Sequence, residues 1–422
     1  MNSLIDSARR ASRAGRLDEA ARIWEQVRTV SPDNADALFF LGQRTLAAGD
    51  ARAAIELLRR AASSAPKDAL IPLSLAGAFR ALGDTNSELA AYDQALSADP
   101  YCYPALLAKG AVLERLGKTR AAARIYADAL KVTPAENRLS PDLQKLVQRA
   151  RVAVGENTEA LSVFVESKLG RIRAQHEGAG LDRFDECKDG MTGKKKIYRQ
   201  EPVMLNFPQL PAIQFYDDGQ FPWMPALEAK ADGIERELTE LLQERAAGFR
   251  PYIDMPDNVP LNETAALNRS TDWSAYFFWD DGVRVEEHCN RCPETAATLD
   301  AMPLANVPGF APAAFFSSLT PGTRIAPHTG VTNTRLIVHL GLIVPEGCTF
   351  RVGNETRSWQ RGKAWVFDDT IEHEAMNASS AQRVVLIFDI WNPYLSAAER
   401  DLVCALLAAQ REYYAHDETG KG

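Results

Sequence analysis

Along the first third of the chain the apolar positions return every 34 residues. Trp24, Leu58, Tyr92 and Tyr126 occupy one position of this period, and Val27, Ala61, Ala95 and Ala129 another three residues on. A three-residue step keeps both on one face of a helix. Gly15, Gly49, Gly83 and Gly117 fall mid-period, and Pro32, Pro66, Pro100 and Pro134 fall near its end. Glycine supplies the left-handed cap that ends one helix, and proline opens the connection to the next unit. The pattern predicts four helical hairpins over residues 1–136.

A 34-residue helical hairpin is the tetratricopeptide period. Such units cannot bury their apolar faces singly, so they stack into a solenoid with a concave surface. The small residues let helices approach and the aromatics fill the space between hairpins, which makes both sets core positions and not a cofactor box. The groove is read as a recognition surface for a peptide or protein, against a spacer or self-association role. In residues 137–204, Leu143 to Ala150 and Ala160 to Leu169 have helical spacing that suits a cap on the solenoid. The glycine- and charge-rich stretch from Glu177 to Gly193 reads as a linker.

The pattern then changes to short apolar runs set off by turn signals. A helix is expected over Ala226 to Arg245. Strands are expected at Ser274 to Trp279, Ala314 to Leu319, Leu336 to Val344, Thr349 to Val352, Ala364 to Phe367 and Val384 to Ile390. Pro-Gly, Glu-Gly, Gly-Asn and Arg-Gly pairs separate them, the cadence of a barrel or jelly roll. Ser396-Ala-Ala-Glu399 is a capping box opening a last helix toward Tyr414.

A length of 422 residues asks for two or three domains. With 46% apolar and 25% charged residues the composition is that of a globular protein. A net charge of −8 argues against an extended nucleic-acid or anionic-membrane surface, and Lys194-Lys195-Lys196 reads as a solvated loop. There is no run of about 18 apolar residues and no apolar leader core, so a cytoplasmic protein that binds neither membrane nor nucleic acid is expected. The six scattered cysteines suggest no disulfide framework. His288-Cys289-Asn-Arg-Cys292 lacks a second Cys/His pair for zinc and reads as structural.

Chemistry concentrates late, where four of the six histidines lie between positions 288 and 373. His328 and His373 bracket strand-like sequence, and Arg383 follows ten residues after the second. Separated histidines brought together by a small barrel suit a redox-active metal, and a nearby cation suits an acidic cosubstrate. Several stretches from about Asn206 to Pro393 carry a resemblance in their order and spacing. They include Pro321-Gly322, His328 to Arg335, His339-Leu-Gly-Leu, Phe367-Asp-Asp, Glu372-His373-Glu and Asp389 to Pro393. The segment resembles the aspartyl/asparaginyl β-hydroxylase family of iron(II)- and 2-oxoglutarate-dependent oxygenases.

The resemblance implies a multidomain α+β protein, with the solenoid at 1–136, a helical cap and linker at 137–204, and a double-stranded β-helix oxygenase domain at 205–422. It implies His328 and His373 as iron ligands, with O2 and 2-oxoglutarate as the other reactants. Gly330 stands where many such oxygenases carry a carboxylate ligand, as expected of this family. Halogenases also carry a small residue there, and Asp368 and Asp369 are assigned structural roles. Arg383 and Ser317 are expected to hold the distal cosubstrate carboxylate and His339 the carboxylate near the metal. Arg335 is a further candidate, set against a plain salt bridge, because Ile337 replaces the family's basic residue two before His339. The implied activity is β-hydroxylation of aspartyl or asparaginyl residues in a peptide or protein held by the repeats. The alternatives are oxidation or halogenation of a free amino acid or small metabolite, with repeats serving assembly, and a scaffold without turnover.

Overall fold

A computed structural model describes residues 2–244, 248–256, 258–260 and 265–418. The chain divides into two compact units, Met1–Lys194 and Lys195–Gly422.

The first unit is helical. Four hairpins are formed by α1 (Asn2–Arg13) with α2 (Leu17–Val30), α3 (Ala35–Ala47) with α4 (Ala51–Ser64), α5 (Leu70–Ala81) with α6 (Thr85–Ala98), and α7 (Tyr103–Arg115) with α8 (Thr119–Val132). Gly15, Gly49, Gly83 and Gly117 turn each hairpin with φ between 71° and 93°, a region that disfavours any residue with a Cβ. The repeated apolar positions are core: Trp24, Leu58, Tyr92 and Tyr126 are at most 3% exposed. Gly110 lies flat against the Tyr126 ring, where a Cβ would stand 2.4 Å from a ring carbon. The expected pair of capping helices is one long helix, α9 (Pro141–Ala174), whose Val147, Ala150 and Ala153 close the cluster around Tyr126. The stretch read as a linker holds α10 (Asp182–Thr192), tied to α9 by Arg173 with Asp185 and Lys188 with Glu166. Its low apolar content hid the helix, which charge pairing supports.

The second unit opens with α11 (Met224–Glu228) and α12 (Ala231–Gln243), where one helix was expected; Arg245 lies outside the described residues. Then come β1 (Arg250–Pro251), β2 (Trp273–Asp280), β3 (Val283–Arg284), α13 (Glu286–Arg291), α14 (Pro293–Asp300) and β4 (Ala314–Leu319). β5 (Arg324–His328), β6 (Arg335–Ile343), β7 (Cys348–Val352), β8 (Glu355–Ser358), β9 (Ala364–Phe367), β10 (His373–Asn377), β11 (Arg383–Trp391) and α15 (Ala397–Glu418) complete it. Ser396 and Glu399 cap α15 reciprocally, as the sequence signature required.

The strands form two antiparallel sheets. One has the order β1-β2-β4-β11-β6-β9, with β3 on β2, and the other has the order β5-β10-β7-β8. From β4 to β11 the chain passes back and forth between the sheets, the strand order of a double-stranded β-helix. One apolar cluster packs α12, α13 and α14 against the outer face of the larger sheet, with Leu238, Phe316, Val338 and Leu386 buried. A second fills the space between the sheets, joining Ile337, Phe367 and Val385 from one to Ile325, Phe350 and Ala375 from the other.

Candidate active site

Strands β5 and β10 are neighbours in the smaller sheet, and their register sets His373 directly opposite His328. The two rings stand 4.1 Å apart between centroids. Nδ1 of His328 is 2.8 Å from the Ala326 carbonyl, and Nδ1 of His373 is 3.1 Å from the Ile371 carbonyl. A carbonyl only accepts, so each Nδ1 carries a proton, and a neutral ring so held has its lone pair on Nε2, the form that ligates a metal. Burial, with His328 alongside, pushes His373 down to about 3, so it stays neutral. No cluster of three or more His, Cys, Asp or Glu side chains placed to hold a metal occurs among the described residues.

The histidines face a cavity of about 270 Å³ between the sheets. Its floor toward one end is Arg383, 2% exposed. Nη1 of Arg383 reaches the Ser317 carbonyl at 3.3 Å and the Ser317 hydroxyl at 3.5 Å, and Nε has no partner. Trp359 lies beneath the guanidinium at 4.8 Å, and the Trp273 indole donates to Ser317 Oγ at 3.2 Å. No carboxylate of the described residues pairs with Arg383, and burial draws it down to about 10. A buried cation with unfilled donors is what an anionic ligand would complete.

His339 comes from β6 into the same end. It is wrapped by Phe350, Phe367 and Trp359, its Nδ1 has no partner, and burial followed by the charge of Arg383 holds it well below the usual imidazole range.

Residues 228–393 match the family model described as aspartyl/asparaginyl beta-hydroxylase, and residues 11–71 match a tetratricopeptide repeat model. Aspartate beta-hydroxylase domain-containing protein 2 of Homo sapiens is 30% identical over 262 residues, 60% of this chain and 68% of that protein. The chain belongs to the aspartyl/asparaginyl β-hydroxylase family. The ornithine lipid ester-linked acyl 2-hydroxylase of Rhizobium tropici is 34% identical over 201 residues, 47% of this chain and 67% of that protein. An aspartyl/asparaginyl beta-hydroxylase of Mus musculus is 27% identical over 422 residues, 94% of this chain, and this chain spans 55% of that relative's length.

Two expectations for this β-hydroxylase-family cavity can be set beside the geometry. Arg335, a candidate cosubstrate contact, is committed to an ion pair with Asp389, which also accepts from the Ala313 amide at 3.0 Å. Arg335 and Asp389 are diagonal neighbours on β6 and β11, since the register sets Arg335 opposite Trp391 and Asp389 opposite Ile337, and both line the cavity at the end away from Arg383. Asp368 is structural, accepting from Thr370 and Gln200. Its neighbour Asp369, also expected to be structural, lines the cavity, and its Oδ1 has no partner. A Cβ on Gly330 would sit 2.0 Å from Asp369 Oδ2, so the glycine is the space in which that carboxylate lies.

Sequence reasoning also missed Tyr252, which stacks on Trp273 at 4.2 Å in the cavity wall. No periodicity marks it, because it belongs to a near-isolated segment at a sheet edge. His288 stacks on Tyr276 and bonds the Phe277 carbonyl at 2.7 Å, and Cys289 and Cys292 are buried thiols. No helix among the described residues is long and apolar enough to cross a membrane.

Proposed function

We propose that the chain is an iron(II)- and 2-oxoglutarate-dependent hydroxylase acting on a peptide or protein, with an aspartyl or asparaginyl side chain as the target. The observation that carries this reading is the pair of opposed imidazoles, both held through Nδ1 by backbone carbonyls, sharing one cavity with a buried arginine that has no carboxylate partner among the described residues. The donor set fits the absent groups: two neutral imidazoles suit iron, and unfilled donors on Arg383 suit a dicarboxylate. His328 and His373 would hold the metal. Arg383 with the Ser317 hydroxyl would bind the distal carboxylate of 2-oxoglutarate, and His339 would stand by the other.

Bound iron(II) supplies the activation of O2 that couples oxidative decarboxylation of 2-oxoglutarate to hydroxylation of a carbon. The chain's own contribution is placement. Burial keeps His373 neutral, the backbone carbonyls fix both rings, and the aromatic wall of Phe350, Phe367 and Trp359 keeps water from the cosubstrate end. The repeats are read as the recognition surface that recruits the peptide.

The test is succinate release by the purified chain with iron, ascorbate and 2-oxoglutarate, with and without peptide pools. Peptide-dependent succinate together with a 16 Da gain on the peptide supports the reading. Iron content of His328→Ala and His373→Ala checks the metal site, and native iron content in both variants would remove it.

A further inference from the structure

The two ends of the cavity differ in charge, and the difference speaks to the substrate. Arg383 and Asp389 both lie on β11, six residues and roughly 20 Å apart along the strand. At the Arg383 end the one cation is unpaired, which matches a carboxylate of 2-oxoglutarate. The opposite end holds Arg335 bound to Asp389, with the carboxyl group of Asp369 beside the pair. The cavity-facing position between Arg335 and His339 on β6 is Ile337, 7% exposed, so no further cation is supplied there.

The arginine at this end is therefore already paired with Asp389, and no unpaired cation lines it among the described residues. A substrate carboxylate would be buried there with no unpaired cation to receive it, and an uncompensated buried charge is strongly disfavoured. A carboxamide has the same shape and no charge. It offers two N–H donors and a carbonyl acceptor. Two wall groups here lack partners and complement it: Asp369 Oδ1 wants a donor, and Arg335 Nε–H wants an acceptor.

We infer that the substrate end of the cavity selects a carboxamide side chain, as in asparagine, over the carboxylate of aspartate. Ile337 sets the preference by withholding a second cation. The inference rests on the hydroxylase reading and names its substrate class.

The full chain, held anaerobically with iron(II) and 2-oxoglutarate, is titrated with N-acetyl-asparagine methylamide and with N-acetyl-aspartate methylamide. Fluorescence of Trp273 and Trp359, both in the cavity wall, reports binding. The asparagine probe should bind at least about 10-fold tighter, a difference of about 1.4 kcal/mol. Ile337→Arg should narrow that ratio by strengthening the aspartate probe, and Ile337→Leu should leave it. Equal or tighter binding of the aspartate probe to the native chain overturns the inference, as does binding of neither probe. Succinate release measured in air on the same preparation separates the two ideas. Its absence counts against the hydroxylase reading, whereas the binding ratio judges the selectivity.

Discussion

Replacing Arg383 by methionine removes a charge that the protein itself does not neutralise. The guanidinium is 2% exposed, its hydrogen bonds go to one carbonyl and one hydroxyl, and its Nε is unfilled. Burial holds it at about 10 instead of 12.5, so the charged form is disfavoured in the fold by about 3 kcal/mol. A base whose folded value is depressed carries that cost at every pH below the folded value, so it is fully present at neutrality. The Trp359 face recovers part of it, about 1–2 kcal/mol for a desolvated cation over a ring. Arg383→Met should therefore raise the thermal midpoint of the ligand-free chain, by roughly 2–4 °C per kcal/mol released. The same change should weaken 2-oxoglutarate binding by about 3–5 kcal/mol, more than 100-fold in Kd, because the distal carboxylate loses its buried partner. Calorimetry measures both: a melting scan without ligand and a titration with 2-oxoglutarate. An arginine kept for structure gives the opposite pair, a lower midpoint with unchanged affinity, and that result would refute the assignment.

Asp389→Ala should destabilise the chain by about 3–5 kcal/mol in urea unfolding, since it strands Arg335 in the wall, and Asp389→Leu combined with Arg335→Met should recover most of the loss. Metal-free protein should lose stability as pH falls below about 6.5. Between that value and about 3 the unfolded chain binds a proton that buried His373 does not, and His339 acts in the same direction. Each adds a slope of about 1.4 kcal/mol per pH unit, which His339→Gln should reduce in denaturant titrations at stepped pH. In the repeats, Gly110→Ala should cost about 1–3 kcal/mol because its Cβ meets Tyr126 at 2.4 Å. Gly77→Ala, with its nearest neighbour at 3.6 Å, should be neutral or stabilising by up to about 1 kcal/mol on thermal unfolding.

The repeats were legible in the sequence because their contacts are local. A 34-residue period places the same residue types at the same points of each hairpin, and a glycine at positive φ can be read from its spacing alone. The strands built from continuous apolar runs were legible too: β4 and β9 begin and end where expected. β5 and β10 were not, although they carry the two histidines. Arg-Ile-Ala-Pro-His and His-Glu-Ala-Met-Asn have weak strand preference, and they are strands because each pairs with the other and β10 also pairs with β7. The same limit applies to charge. Motifs named Arg335, Arg383 and the Asp368-Asp369 pair, but composition cannot say which arginine is already neutralised. Strand register decides that: β6 pairs with β11 so that Arg335, opposite Trp391, reaches Asp389 diagonally, while Arg383 at the other end of β11 faces Ser317 and Trp359 and pairs with no acid among the described residues. The sequence by itself determined the elements and the residue types that do chemistry. Which of those residues stand opposite one another, and which buried charge is left without a partner, was decided by long-range pairing between strands that a local pattern does not encode.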